Sequence, residues 1–151
     1  MNDSQSSRFL ERVRELLSSQ NAGVLGTRYE EAPHQSLVAF VASADLREIY
    51  FASPASTRKT EAMRTDPRVA LLVDNRNNLS SDFDAASALA VKGVAEALSA
   101  EEALAAAPRY LQRHPSLKDF VASSSCLFFR IRIRSYSLVS SFQNVEELSL
   151  V

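Results

Sequence analysis

Phe9, Leu10, Val13, Leu16 and Leu17 recur at helical spacing among Arg8, Glu11, Arg12, Arg14 and Glu15, which predicts one amphipathic helix after a polar, frayed start over residues 1–7. Asn21–Gly26 breaks that period. Val24–Tyr29, Ser36–Ala42 and Glu48–Ala52 then read as three short strands of β-branched and aromatic residues, joined by turns at Pro33 and Asp45 into an antiparallel meander. A helix from about Ser56 to Thr65 ends before Pro67. The apolar run Val69-Ala70-Leu71-Leu72-Val73 within Arg68–Asp74 predicts a central strand, and Asp74–Asp84 a long polar loop. Ala88–Leu98 is a further strand, with Gly93 marking a bulge. Ser99 and Glu102 supply cap and capping-box partner for an Ala-rich helix over Ala100–Arg113, which Pro108 should kink or divide. A short helix over Ser116–Val121 follows. In Cys126–Val139, Phe129, Ile131 and Ile133 alternate with Arg130, Arg132 and Arg134, the period of a half-exposed strand. Six strands with few helices predict a mainly β (α+β) fold, a six-stranded antiparallel split β-barrel with flanking helices, as a single domain over residues 1–151.

The helix near Ser56 breaks a rule of charge placement. Ser53, Pro54, Ser56 and Thr57 supply cap and first-turn residues, yet the positive end of the helix dipole carries Arg58 and Lys59. A phosphate group would satisfy both cations, the Ser53 and Thr57 hydroxyls and the free amides together. The plain alternative is two solvated side chains at an exposed helix end.

Composition narrows the function classes. A formal charge of −1 lacks the basic excess of a general nucleic-acid binder, and no apolar stretch is long enough to span a bilayer. Cys126, the single cysteine, cannot form an internal disulfide, and residues 1–7 do not read as a signal peptide, so the expected compartment is the cytoplasm.

Five pieces in order, GVLGT, PHQSLVAF, IYFASPASTRK, DPRVALLV and VKGVAEAL, resemble the pyridoxamine 5′-phosphate oxidase-like family of flavin-binding split barrels. The resemblance covers roughly half the chain, and the interval from the basic pair to the Pro-led strand is its most specific part. It implies a homodimer holding FMN in grooves at the subunit interface, with deazaflavin or haem as alternatives to FMN. By position, Thr57, Arg58 and Lys59 would hold the phosphate with help from Ser53. Backbone and side chains of Ser36–Val41, including Ser36, Val38, Ala39 and Phe40, would lie along the ring and ribityl chain. The loop around Asn75 and Asn78 and the start of the Ala88 strand would reach the partner's flavin. Family enzymes that oxidise vitamin B6 phosphates carry a basic residue near the start of the second strand, a glutamine early in the strand that here begins Ala88-Leu89, and a C-terminal Arg and His. This chain has none of them at those places, so the resemblance supports a flavin-dependent oxidoreductase of unknown substrate rather than that reaction. The alternative is a non-catalytic flavin- or haem-binding module.

His34 and His114 each adjoin a proline in a turn or at a helix end, have no metal-ligand spacing, and read as solvated side chains, with an axial haem ligand as the other use. No metal site is expected. The Arg130, Arg132, Arg134 face calls for ion pairs with Glu30, Glu31, Glu96 or Glu146 across the sheet, with an anionic partner as its other use. The tail SSFQNVEEL packs against a second subunit or is frayed.

Overall fold

In the computed structural model, which describes residues 1–151, the first apolar stripe forms α1 (Asp3–Ser19) and buries Phe9, Val13, Leu16 and Leu17. The start is not frayed: Asn2 caps the helix in a reciprocal capping box with Gln5. The meander follows as β1 (Ala22–Tyr29), β2 (Ala32–Ala42) and β3 (Glu48–Pro54), then α2 (Arg58–Thr65), β4 (Arg68–Asp74), the single turn α3 (Asp82–Ala85) and β5 (Ser87–Ala97). The Ala-rich segment is α4 (Ala100–Arg113), followed by a 3-10 turn at Pro115–Leu117, α5 (Lys118–Ala122), β6 (Cys126–Ser140) and β7 (Asn144–Ser149). Pro108 does not divide α4. The carbonyl it leaves without a donor belongs to Leu104, which is exposed, so water can satisfy it.

The sheet runs β3-β2-β1-β4-β5-β6-β7, all antiparallel, and a second pairing of β3 with β6 closes the first six strands into a barrel. β4 is the middle strand, as its apolar run requires, but only Val69, Leu71 and Val73 point inward. β6 carries the closure. Residues 126–132 pair with β3, and past Arg134 the same edge pairs with β7. β7 is the seventh strand that the six-strand reading lacked.

At the switch, Lys92 pairs with Ser135 and Gly93 with Ile133, so Arg134 is an extra residue on β6. The bulge reverses the inward phase, from Phe129, Ile131 and Ile133 to Tyr136 and Leu138. Gly93 is required by space, since a Cβ there would lie 2.3 Å from the Arg132 carbonyl oxygen.

One core of 22 residues fills the barrel, with α1 across the end near the β2–β3 turn, where Arg14 donates to the Ala44 carbonyl at 2.7 Å. α2 packs on β1 and β2 toward their hairpin. A smaller cluster of Val41, Ala52, Tyr110 and Phe128 joins α4 and α5 to the outside of β2, β3 and β6. The outer face of β2, β1 and β4 elsewhere has no cover, leaving Leu37 74% and Leu72 44% exposed. The arginine face of β6 is paired, though only in part as expected. Arg130 and Arg132 meet Glu96, with Glu48 and Glu102 completing the network, whereas Glu146 pairs with Arg12 and Glu31 with Arg28.

Candidate functional site

Thr57 rather than Ser56 is the N-cap of α2, so Arg58 and Lys59 are its first two helical residues. Behind them sits a knot of hydroxyls. Ser53 Oγ lies 3.1 Å from Thr57 Oγ1 and 3.4 Å from Thr60 Oγ1, the two threonine hydroxyls are 3.0 Å apart, and Thr60 donates to the Pro54 carbonyl at 3.0 Å. Ser53 and Thr60 are fully buried. The knot ties the end of β3 to the first turn of α2 and fixes the direction in which the helix presents its amides. Thr60 belongs to it and escaped the sequence reading, although its spacing from Thr57, one helical turn on, was the available signal.

Arg58 and Lys59 have no carboxylate within ion-pair distance. The Arg58 guanidinium stands 6.0 Å from the centre of the Tyr29 ring and lines a cleft of about 340 Å³ with Tyr29, Glu30, Ala32, Pro33 and His34. Lys59 is half-buried, and burial lowers its pKa. A lysine without a counter-charge, at the positive end of a helix and partly removed from water, is a cation that gains from an anion. Ser36 Oγ, buried on β2, has no hydrogen-bond partner. An unpaired, partly buried lysine on the first turn of a helix fits a bound anion, and so fits the flavin phosphate expected there.

The remaining predicted positions divide. Val38 and Phe40 point into the core at 4% and 0% exposure, so the expected side-chain contact with a flavin is corrected: only their backbone is available. Ala39 faces outward beneath α4, where the Tyr110 hydroxyl donates to its carbonyl at 3.2 Å. Asn75 closes its loop on the start of β5, its Oδ1 accepting from Ser87 N–H at 2.7 Å. Asn78, with a φ of 61°, lines a second cleft of about 650 Å³ with Leu72, Phe83, Ala88 and Phe142. Phe83 and Phe142 meet edge to face there at 6.3 Å. The helix-start group and the Asn78 cleft share no lining residue within one chain.

The two histidines also separate. His114 is not solvated: it is buried, with Nε2 2.7 Å from the Phe40 carbonyl oxygen and its ring against Tyr110. His34, at the mouth of the Arg58 cleft, is the histidine with a ring open to a ligand. No group of three or more His, Cys, Asp or Glu side chains is placed to hold a metal ion, and no helix is long and apolar enough to cross a membrane.

A family model described as pyridoxamine 5′-phosphate oxidase matches residues 9–139. No curated protein matches the chain in sequence. Among solved structures, a haem-binding protein from Mycobacterium smegmatis superimposes with a TM-score of 0.81 at 19% identity over 92% of this chain, which spans 57% of that one. General stress protein 26 from Bacillus anthracis gives 0.73 at 18% identity, covering 94% and 98% of the two chains. A protein described as FAD-binding from Mesorhizobium loti gives 0.69 at 20% identity, covering 85% and 91%. At these identities the likeness is one of fold.

Proposed function

The chain belongs to the pyridoxamine 5′-phosphate oxidase family, and from that premise we propose that it binds FMN between two copies of itself and acts as a flavin-dependent oxidoreductase on a small molecule. The observation that carries this reading is the pair of uncountered cations, Arg58 and Lys59, on the first turn of α2. They would hold the phosphate, with Thr57 and Ser53 fixing the turn. The backbone of Val38, Ala39 and Phe40 would run beside the ring. Bound there, the flavin supplies the electron-transfer chemistry, and the protein contributes placement and exclusion of water.

The dimer is proposed on two grounds. Leu37 and Leu72 leave an apolar face open, and covering what is exposed of them would contribute about 1–2 kcal/mol each. A second copy also supplies what one chain keeps apart, bringing the Asn75–Asn78 loop and Ala88 of one protomer to the helix-start group of its partner. A single half-buried cysteine suits a reducing compartment, and the cytoplasm is proposed on that basis.

A second reading, a non-catalytic flavin or haem carrier, is favoured by one feature. β7, where family enzymes place Arg and His against substrate, holds Asn144-Val145-Glu146-Glu147-Leu148-Ser149 and neither of those residues. The readings separate in two steps. Protein mixed with FMN and desalted should keep the flavin spectrum, and an Arg58→Ala, Lys59→Ala variant should lose it; equal retention by both would remove the phosphate site. Oxidation of NADH or NADPH no faster than by free FMN would then favour the carrier, and a Soret band on mixing with haem would give that role to haem. A monomer in sedimentation at micromolar concentration would remove the interface groove.

A further inference from the structure

Three arginines converge where α1 and α4 meet the end of β2. Arg14 on α1 donates to the Ala44 carbonyl at 2.7 Å, Arg109 on α4 donates through Nε to the Ala42 carbonyl at 2.9 Å, and Arg113 donates to the Gln20 carbonyl at 2.8 Å. With Ser18, Ser43 and the buried Leu17, Val41 and Leu46 they line a pocket of about 210 Å³. That is below the roughly 300–1,000 Å³ of sites for drug-sized ligands, so the space suits a small group. The pocket shares no lining residue with the Arg58 cleft, and neither Leu37 nor Leu72 lines it. From His34 to Ala42 the strand runs roughly 25 Å, which puts the two at opposite ends of β2.

None of the three guanidinium groups has a carboxylate within ion-pair distance. Their carbonyl partners accept a proton and bring no net charge. Arg109 and Arg113 stand one turn apart on α4, a spacing at which like charges repel. The Asp45 carboxylate in the adjoining turn is engaged by the Ser43 hydroxyl and the Arg47 amide. The C-terminal ends of α1 and α4 contribute partial negative charge, roughly half a unit each, against three full positive ones. Arg113 Nε is also buried and has no acceptor, so part of that guanidinium is removed from water without compensation. The apolar floor of Leu17, Val41 and Leu46 keeps the local dielectric low, which strengthens what an opposite charge would gain there.

We propose that this pocket is an anion site that takes the phosphate group of a small ligand, with Arg14, Arg109 and Arg113 as its charged contacts and the Ser18 and Ser43 hydroxyls beside them. A guanidinium has five donors in a fixed fork, so one bond to a carbonyl leaves others for an oxyanion. A phosphate held by arginines of both helices bridges α1 and α4 across the end of the barrel. The site does not depend on the flavin reading.

Calorimetric titration with inorganic pyrophosphate at low salt tests it, on the full chain carrying Arg58→Ala and Lys59→Ala so that the helix-start site is silent. Pyrophosphate should still bind. Adding Arg14→Gln and Arg109→Gln, both at exposed positions, should weaken it about tenfold or more. Ser18→Glu places a carboxylate of the chain's own among the arginines and should weaken binding as much, whereas the uncharged Ser18→Gln should not; this pair decides the matter if the arginine variant does not fold. Inorganic phosphate binding as tightly as pyrophosphate would identify a site for one phosphate group, and tighter pyrophosphate a site for a diphosphate, and either supports the proposal. Absence of binding in the Arg58, Lys59 background would overturn it, because the probe would then belong to the helix-start site or to none. Equal affinity of the Ser18→Glu and Ser18→Gln proteins would overturn it as well.

Discussion

Replacing Gly93 and Gly26 by alanine makes the same chemical change at two strand positions and should give opposite results. At Gly93 the new methyl would sit 2.3 Å from the Arg132 carbonyl oxygen and 2.7 Å from Ile131 Cγ2. Ordinary contact begins more than 1 Å further out, roughly 3.4 Å. Neither neighbour can yield cheaply, since Arg132 is backbone held between β5 and β3 and Ile131 is 1% exposed in the core. Overpacking of this kind costs about 1–3 kcal/mol, and a forced opening of the ladder belongs at the top of that range. The restricted unfolded chain returns about 0.4–1 kcal/mol, leaving a net loss of about 2–2.6 kcal/mol. For a chain of this length that is a fall in Tm of roughly 5–10 °C. At Gly26 the closest atom is at 3.5 Å, so only the unfolded-state term remains and Tm should hold or rise by about 1–4 °C. Thermal unfolding followed by far-UV circular dichroism measures both. Equal Tm values would refute the reasoning, because they would mean that β5 and β6 part freely at the bulge.

Three further outcomes follow from single side chains. Burial lowers the Lys59 pKa, so the unfolded chain holds that proton more tightly, and stability should rise with pH between the lowered value and the ordinary 10.5. Lys59→Met should remove that rise and melt higher than the parent in flavin-free buffer, while inorganic phosphate raises the parent's Tm and not the variant's. The Tyr136 hydroxyl is buried and donates to the Leu46 carbonyl at 2.7 Å, so Tyr136→Phe should lose about 1–2 kcal/mol by urea titration with an unchanged m-value. Hydrogen bonds from Arg130 and Arg132 hold the Glu96 carboxyl below the ordinary 4.5, so its contribution is present above that value and lost as pH falls through the lowered one. Glu96→Gln should cost about 0.5–1 kcal/mol near neutrality and flatten the acid limb of the stability profile below the ordinary 4.5.

Most strands were legible because their periods are unambiguous. Arg68–Asp74 is found where the apolar run and Pro67 put it, and the bulge falls at Gly93. What a period of two cannot give is the choice of face. Ser36-Leu37-Val38-Ala39-Phe40 carries apolar side chains on both faces, and only the barrel's curvature decides that Val38 and Phe40 face the core while Leu37 faces out. β7 escaped because its outward side chains, Val145, Glu147 and Ser149, give little strand signal, and its register comes from β6. His114 looked like a loop histidine because the carbonyl that receives it belongs to β2, far away in sequence. At the helix start, the misplaced charges of Arg58 and Lys59 were visible, whereas the buried partners behind them depend on how α2 docks on β3.

The closure of the barrel by β6 has a consequence for how the chain is made. Its partners on either edge, Glu48–Pro54 and Ser87–Ala97, are synthesised well before it, and until residues 126–132 emerge both wait with unpaired backbone. A nascent chain that has passed α4 already holds most of the apolar core residues but cannot enclose them, because the seam joins segments far apart in sequence. A chain truncated inside Cys126–Arg132 should therefore be an open sheet prone to pair with its neighbours, whereas one ending after Ser140 keeps the strand that closes the barrel.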